Sequence, residues 1–267
     1  MTPSPFFQVD AFASGPFTGN PAAVMPLTAW LPDATMQAIA AENNLSETAF
    51  TVPSEADGAD YDLRWFTPTV EVDLCGHASL AAGHILIHGS AVRFATRSGI
   101  LTVTRDGPLL RLDLPAYEVE PGVEPGLTDA LGLPAGTPTY LGRGGNGSAI
   151  ALLADEAAVR AVSPDFAALR TIDRLVIVTA PGDDTAVTSR VFAAYHGIDE
   201  DPVTGAAHAA LVPFWAEKLG RPRFTALQAS RRGGQIDCEL KHAVGVKEGR
   251  VILGGQCVTV IEGHFQL

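Results

Sequence analysis

Apolar and polar positions alternate with period two over residues 6–12, where Phe7, Val9 and Ala11 interleave with Gln8 and Asp10. That is the pattern of a half-buried strand. Gly15, Pro16, Gly19, Asn20 and Pro21 make residues 14–21 a loop, and a short strand follows over 22–25. Asp33 is placed to cap a helix whose apolar positions are Met36, Ile39 and Ala40, ending near Asn43 and Asn44. Leu45-Ser46-Glu47 then reads as a turn into a strand at 48–52. A further strand at 61–66 is broken by Thr67-Pro68-Thr69. Strands are expected at 94–96, 101–104 and 109–114, with a turn at Asp106-Gly107-Pro108. Residues 115–125 carry prolines, glycine and acids and read as an interdomain linker. The second half opens with a short helix at 129–131, strands at 139–141 and 148–153, and a helix at 154–162. Ser163, as cap, and Pro164, in the first turn, start another helix. Strands follow at 175–179 and 188–195. A helix then runs to Leu219 and stops at Gly220, with Pro222 beyond. Strands at 235–240, 243–247 and 251–260 close the chain, the last broken at Gly254-Gly255.

One short phrase occurs twice within this pattern. Cys75-Gly76-His77-Ala78-Ser79-Leu80-Ala81-Ala82 lies over Thr204-Gly205-Ala206-Ala207-His208-Ala209-Ala210-Leu211, matching at Gly76/Gly205, Ala78/Ala207 and Ala81/Ala210. Each copy follows an acidic step, Glu71-Val72-Asp73 or Glu200-Asp201-Pro202, and runs into small apolar residues that read as a buried helix. A glycine opening such a helix leaves backbone N–H groups and the positive end of the dipole free for an anion. The alternative is two small-residue helices serving close packing. Around the phrases the halves share an order of parts, so the chain reads as an internal duplication of two α+β lobes, with a carboxylate-bearing small molecule expected in the cleft between them.

With 267 residues the chain can bury a substantial core, as one large domain or two smaller ones. A formal net charge of −12 argues against nucleic acid or an anionic membrane as partner. The three cysteines, Cys75, Cys238 and Cys257, fit no disulfide framework or zinc knuckle. The first ten residues contain no Lys or Arg, unlike a secretory signal. The longest apolar stretch, 74–92, is interrupted by three histidines and three glycines. A soluble cytoplasmic protein is the expectation.

Several residues are candidates for chemistry. Glu47 sits in a turn between a helix and a strand, where a lone Glu is commonly a solvated residue. Asp201, just ahead of a helix, reads either as dipole compensation or as a carboxylate orienting a substrate amine or hydroxyl. His77 at a helix start should be hard to protonate, which suits a neutral hydrogen-bonder or proton shuttle. His84 and His88 stand four apart but lack a third ligand, so packing is the expected role and no metal site is expected. Gly142-Arg143-Gly144-Gly145-Asn146-Gly147 has dinucleotide-loop spacing but precedes a strand, not a helix, and is set aside. Ser79 and Ser230 lack a nucleophile-elbow context.

Six segments stand in order from end to end: Phe17-Thr18-Gly19-Asn20-Pro21-Ala22, Asn44-Leu45-Ser46-Glu47-Thr48, Leu74-Cys75-Gly76-His77-Ala78, Asp201-Pro202-Val203-Thr204-Gly205, Ser230-Arg231-Arg232-Gly233-Gly234 and Val258-Thr259-Val260-Ile261-Glu262-Gly263. Together they resemble the PhzF family of phenazine-biosynthesis-like proteins with the diaminopimelate-epimerase-like fold. The resemblance implies an α+β fold of two pseudo-symmetric lobes, each a mixed or antiparallel sheet wrapped around a central helix. The lobes are expected at 1–116 and 117–267, with chain ends that cross between them. It implies a cofactor-independent isomerase that moves a proton within a small amino- or hydroxy-carboxylic acid, with Glu47 as the catalytic base. His77, Asp201, Gly76, Gly205, Ala206, Ser46 and Gly233 are the expected substrate-binding set, and a homodimer is expected. The family often has Gly-Ser-Ala where this chain has Gly205-Ala206-Ala207, so a hydroxyl facing the substrate is missing at Ala206. Related racemases head each central helix with a thiol. Here Cys75 stands at the first place and Thr204 at the second, and a Thr hydroxyl does not ionise near neutral pH. A racemase or epimerase using Cys75, or a small-acid-binding protein without turnover, are the alternatives.

Overall fold

The computed structural model describes residues 3–143, 147–241 and 249–267. The chain divides into two compact units, Met1–Asp113 with Gly254–Leu267, and Leu114–Leu253. The first unit begins β1 (Ser4–Ala11), β2 (Asn20–Pro26), α1 (Asp33–Asn43), β3 (Glu47–Pro53), β4 (Tyr61–Phe66) and β5 (Glu71–Val72). It continues α2 (Gly76–Leu86), β6 (Ala91–Thr96), β7 (Gly99–Asp106) and β8 (Leu109–Pro115). Next come β9 (Val119–Pro121), α3 (Leu127–Ala130), β10 (Thr139–Gly142), β11 (Ser148–Leu152), α4 (Glu156–Ala161), α5 (Phe166–Leu169), β12 (Leu175–Pro181) and β13 (Val187–Ala193). Then follow β14 (Ile198–Asp201), α6 (Gly205–Leu219), β15 (Arg223–Gln228), β16 (Gly234–Lys241) and β17 (Arg250–Gly255). The last strand, β18 (Cys257–Phe265), belongs to the first unit.

The duplication expected from the repeated phrase is written out in the strand pairings. In the first unit β1–β2 is antiparallel, β2–β3 parallel, β3–β4 and β4–β5 antiparallel, β4–β6 parallel and β6–β7 antiparallel. The second unit repeats this sequence as β10–β11, β11–β12, β12–β13, β13–β14, β13–β15 and β15–β16. Each parallel pair needs a crossover, and helices supply it: α1 and α2 in the first unit, α4 with α5 and then α6 in the second. Side chains repeat as well. Arg64 on β4 grips Glu71 at 2.7 and 2.8 Å and lies over Phe66. Arg190 on β13 grips Glu200 at 2.8 and 3.0 Å and lies over Phe192. One acid of each acidic step is therefore held in a bidentate ion pair between neighbouring strands.

The small residues of the repeated phrase explain why α2 is buried on every side from Gly76 to Gly83. It packs against β1, β2, β3, β7 and β18. At Gly83 an added Cβ would stand 2.7 Å from the Val103 side chain. Gly19, at φ +69°, lies so close to the chain that a Cβ would fall 2.2 Å from the Ala11 carbonyl oxygen. A cluster of Met25, Leu27, Met36, Ile39, Phe50, Val52 and Phe66 fills the first unit beside α1. The second unit's core gathers Leu127, Val159, Leu169, Val176, Val178 and Phe192.

Local chemistry departs from the sequence reading at several points. Asp33 is the first residue of α1 and makes no cap hydrogen bond; its carboxylate accepts from Arg64 at 2.9 Å. Asp165, not Ser163, caps α5, accepting from the N–H groups of Ala167 and Ala168. The stretch read as a linker contains β9, which pairs with β10. Tyr117 in that stretch donates its N–H to the Ala209 carbonyl at 2.9 Å. That carbonyl needs an outside partner because Pro213, four residues on inside α6, has no N–H. The short strands β5, β14 and β15 were not anticipated. The strand expected at 243–247 and the centre of the 142–147 loop lie outside the described residues.

Candidate functional site

Three chain segments of the first unit meet at the head of α2. Cys75 is the residue before the helix, in extended conformation, and its side chain caps nothing. That leaves the first-turn N–H groups, starting at Gly76, without a side-chain acceptor from the cap. The one-turn geometry puts His77 inward, 4% exposed. The parallel register of β2 and β3 sets Ala22 opposite Glu47, so the start of β3 lies beside the start of β2, where Asn20 is fully buried.

These residues converge on the His77 ring. Glu47 Oε2 lies 3.1 Å from Nε2, with the Glu47 side chain 12% exposed. The Asn20 amide nitrogen lies 3.2 Å from Nδ1 and Cys75 Sγ lies 3.5 Å from it. Ser46 Oγ donates to Asn20 Oδ1 at 3.4 Å. Glu47 Oε2 and His77 Nε2 are buried and close enough to pair, yet misaligned for a hydrogen bond, so neither atom has a hydrogen-bond partner. Buried polar atoms are rarely left so.

Burial pulls the proton affinity of His77 down, while Cys75 and Glu47 push it up and prevail, leaving it well above the ordinary value. Burial first and the Glu47 carboxylate second push the Cys75 thiol up to about 11. The sequence reading of a histidine that resists protonation weighed the helix dipole; Cys75 and the carboxylate at 3.1 Å push the other way and prevail. Glu47, Cys75 and His77 also offer three metal-type donor atoms within 4.8 Å.

At the head of α6 the second unit builds a different cluster. Asp201 is buried and accepts from the Thr204 hydroxyl. Gln228 at the end of β15 accepts from the Thr204 N–H at 2.9 Å and donates to the Asp201 carbonyl at 2.7 Å. Ser230 Oγ donates to the Pro202 carbonyl at 2.8 Å and accepts from the Gly233 N–H at 3.1 Å, with Gly233 at φ +67°. Gly205 is buried and Ala206 half-buried, at the position where α2 has His77. The fourth residue of each helix donates back to the carbonyl ahead of it: Ser79 to Cys75, and His208 Nδ1 to Thr204 at 2.8 Å.

The predicted residues thus fall into two groups, Glu47, His77, Gly76 and Ser46 in the first unit and Asp201, Gly205, Ala206 and Gly233 in the second. Sequence reasoning gave no role to Asn20 or Gln228. Asn20 was absorbed into loop chemistry by its neighbours Gly19 and Pro21, and Gln228 ends a strand that was not anticipated. Away from both groups, His84 Nε2 is hydrogen-bonded to the Thr259 hydroxyl at 3.1 Å. All three cysteines are free thiols. No helix among the described residues is long and apolar enough to cross a membrane.

A duplicated unit of this topology, with a buried glycine-headed helix, defines the diaminopimelate-epimerase-like class. The fold is shared with a hydroxyproline epimerase from Agrobacterium vitis, at TM-score 0.64 and 14% identity over 99% of this chain and 93% of the other. Within that class the relationship is closer: the model of the PhzC-PhzF family, phenazine biosynthesis-like proteins, matches residues 9–263, and the chain belongs to that family. A PhzF family protein of Enterococcus faecalis has TM-score 0.89 and 44% identity, with 100% of both chains covered. A Pseudomonas aeruginosa protein named an uncharacterized isomerase is 46% identical over 98% of each chain.

Proposed function

We propose that the protein is an isomerase that relocates a proton within a small amino- or hydroxy-carboxylic acid, with Glu47 as the base. Family membership and relatives named as isomerases support the class of reaction. The observation that carries the residue assignment is the buried pair of partnerless atoms, Glu47 Oε2 and His77 Nε2, at the head of α2. Glu47 takes a proton from a carbon activated by a neighbouring carboxylate or double bond. The C–H bond breaks, an O–H bond forms on Glu47, and the electron pair enters the conjugated system of the substrate. Returning the proton to a different carbon completes the isomerisation without net oxidation. His77 presents its Nε2 side to the carboxyl that holds the proton in transit. The uncapped first turn at Gly76 suits the substrate carboxylate. Asp201 is assigned a hydrogen bond to a polar substituent by family resemblance.

A thiol-based racemisation is disfavoured by the Cys75 thiol, whose proton is held up to about pH 11. The test is a screen of small carboxylic acids for hydrogen–deuterium exchange in deuterium oxide, followed by NMR. Glu47→Gln keeps the side-chain shape but cannot accept a proton from carbon. It should abolish exchange and turnover together, by roughly a hundred- to ten-thousand-fold, with binding little changed. Exchange that survives Glu47→Gln and disappears in Cys75→Ala would reverse the assignment. Binding without exchange in the unmodified protein, for every acid that binds, would make it a binding protein.

A further inference from the structure

Three side chains from separate segments meet the His77 ring, and their chemistry dictates which nitrogen can carry a proton. Glu47 Oε2 faces Nε2 at 3.1 Å. A lone pair on Nε2 would stand against that carboxylate oxygen, so the N–H is favoured on this nitrogen although the pair is not aligned as a hydrogen bond. At Nδ1 the neighbours are the Asn20 amide nitrogen at 3.2 Å and Cys75 Sγ at 3.5 Å. An amide nitrogen only donates, and the Cys75 thiol, still protonated, arrives as a second donor. Two donors require a lone pair at Nδ1. The Asn20 amide is held from its other end by the Ser46 hydroxyl on Oδ1. Its backbone follows the tight approach at Gly19.

We propose that Asn20 is a positioning residue that holds neutral His77 as the Nε2–H tautomer and so aims its one mobile proton at Glu47. The catalytic consequence rests on the isomerase reading above, but the tautomer is a property of the protein without substrate. A second proton on His77 would set N–H against N–H at Nδ1 and require the Asn20 amide to turn over, with the Ser46 hydroxyl changing from donor to acceptor. Asn20 therefore opposes the charging of His77 that Glu47 favours. The titratable groups acting on the ring are Cys75, just ahead of α2, and Glu47 at the start of β3. Asn20, at the start of β2, is the neutral group that meets them.

The experiment is nitrogen-15 NMR of the full chain with labelled histidine across pH, with His77→Gln locating the His77 signals among the 7 histidines. In the neutral form the proton should sit on Nε2 and Nδ1 should read as an unprotonated acceptor. Asn20→Asp keeps the shape but turns the donor into a carboxylate. It should place protons on both nitrogens and raise the His77 titration by about one to three units. A neutral form protonated on Nδ1, or a folded Asn20→Asp protein with His77 titrating unmoved, overturns the proposal. If Asn20→Asp does not fold, the unmodified spectrum decides alone. No substrate enters this readout, so it can succeed or fail independently of Glu47 as base. With a substrate from the exchange screen, Asn20→Asp should displace the pH profile of turnover, whereas a purely structural role would lower the rate evenly at all pH.

Discussion

Removal of the Glu47 carboxylate should be felt first at His77. The imidazole is held well above its ordinary value against the cost of burial, Cys75 and then Glu47 supplying the push. Glu47→Gln should therefore lower the His77 titration, read by NMR. The sign for stability follows: a raised folded value contributes stability below the unfolded value that is lost as pH rises through the folded one. The variant should lose more stability in the acid half of the neutral range than in the alkaline half, and a His77 titration unchanged in Glu47→Gln would refute the coupling. Cys75, buried and held up to about 11, should react far more slowly with iodoacetamide in the native protein than in denaturant. Glu47 and His77 were legible because each stands inside a family-like segment. Asn20 stands in such a segment too, but its contact with His77 spans a 57-residue separation that no local pattern carries.

Among the elements, the two central helices were the most legible, since glycine and alanine spacing marks a helix that other strands must approach closely. The same spacing makes Gly83 a sensitive position. Gly83→Ala gains about 1 kcal/mol of helix propensity but sets a methyl 2.7 Å from Val103 on β7. Overpacking of that kind costs about 1–3 kcal/mol. A net loss of stability in urea denaturation is expected, relieved in part when Val103→Ala is added; a more stable single variant would show that β7 gives way freely. The elements that escaped the sequence reading are short or sit where punctuation misleads. β5 and β14 are too short to show a period, and β15 follows Arg221-Pro222, which reads as an ending. Proline chemistry misled twice over: three prolines suggested a linker, and Pro213 gave no hint that its missing N–H would recruit Tyr117 to the helix.

For the whole molecule, the repeated pairing order shows how far the fold was written in the sequence. Two phrases implied a duplication, and six consecutive strand pairings match between the units, down to the Arg64–Glu71 and Arg190–Glu200 pairs. Divergence shows at the helix heads, where one copy places a histidine against a carboxylate and the other an alanine. His208, on α6, gives the molecule an acid limit: burial pulls it down to about 4 from 6.5. A depressed folded value contributes stability that is complete above the unfolded value and lost as pH falls from about 6.5 towards 4, in all roughly 3 kcal/mol. Thermal melts should show the midpoint falling between pH 7 and pH 5, less steeply in His208→Gln; identical slopes in the two proteins would discharge His208 from this role. The pairing of β1 with β18, from Ser4↔Phe265 to Ala11↔Cys257, has a consequence for how the chain is born. Strands are made in order at the ribosome, so β1 emerges first and waits for a partner that emerges last, its edge open throughout. The unit spanning Leu114–Leu253 is synthesised in full before that partner. Nascent chains released short of Cys257 should therefore resist protease within 114–253 before they do within 1–113, and synthesis slowed near the C-terminus should lengthen the interval in which β1 recruits a strand from a neighbouring chain.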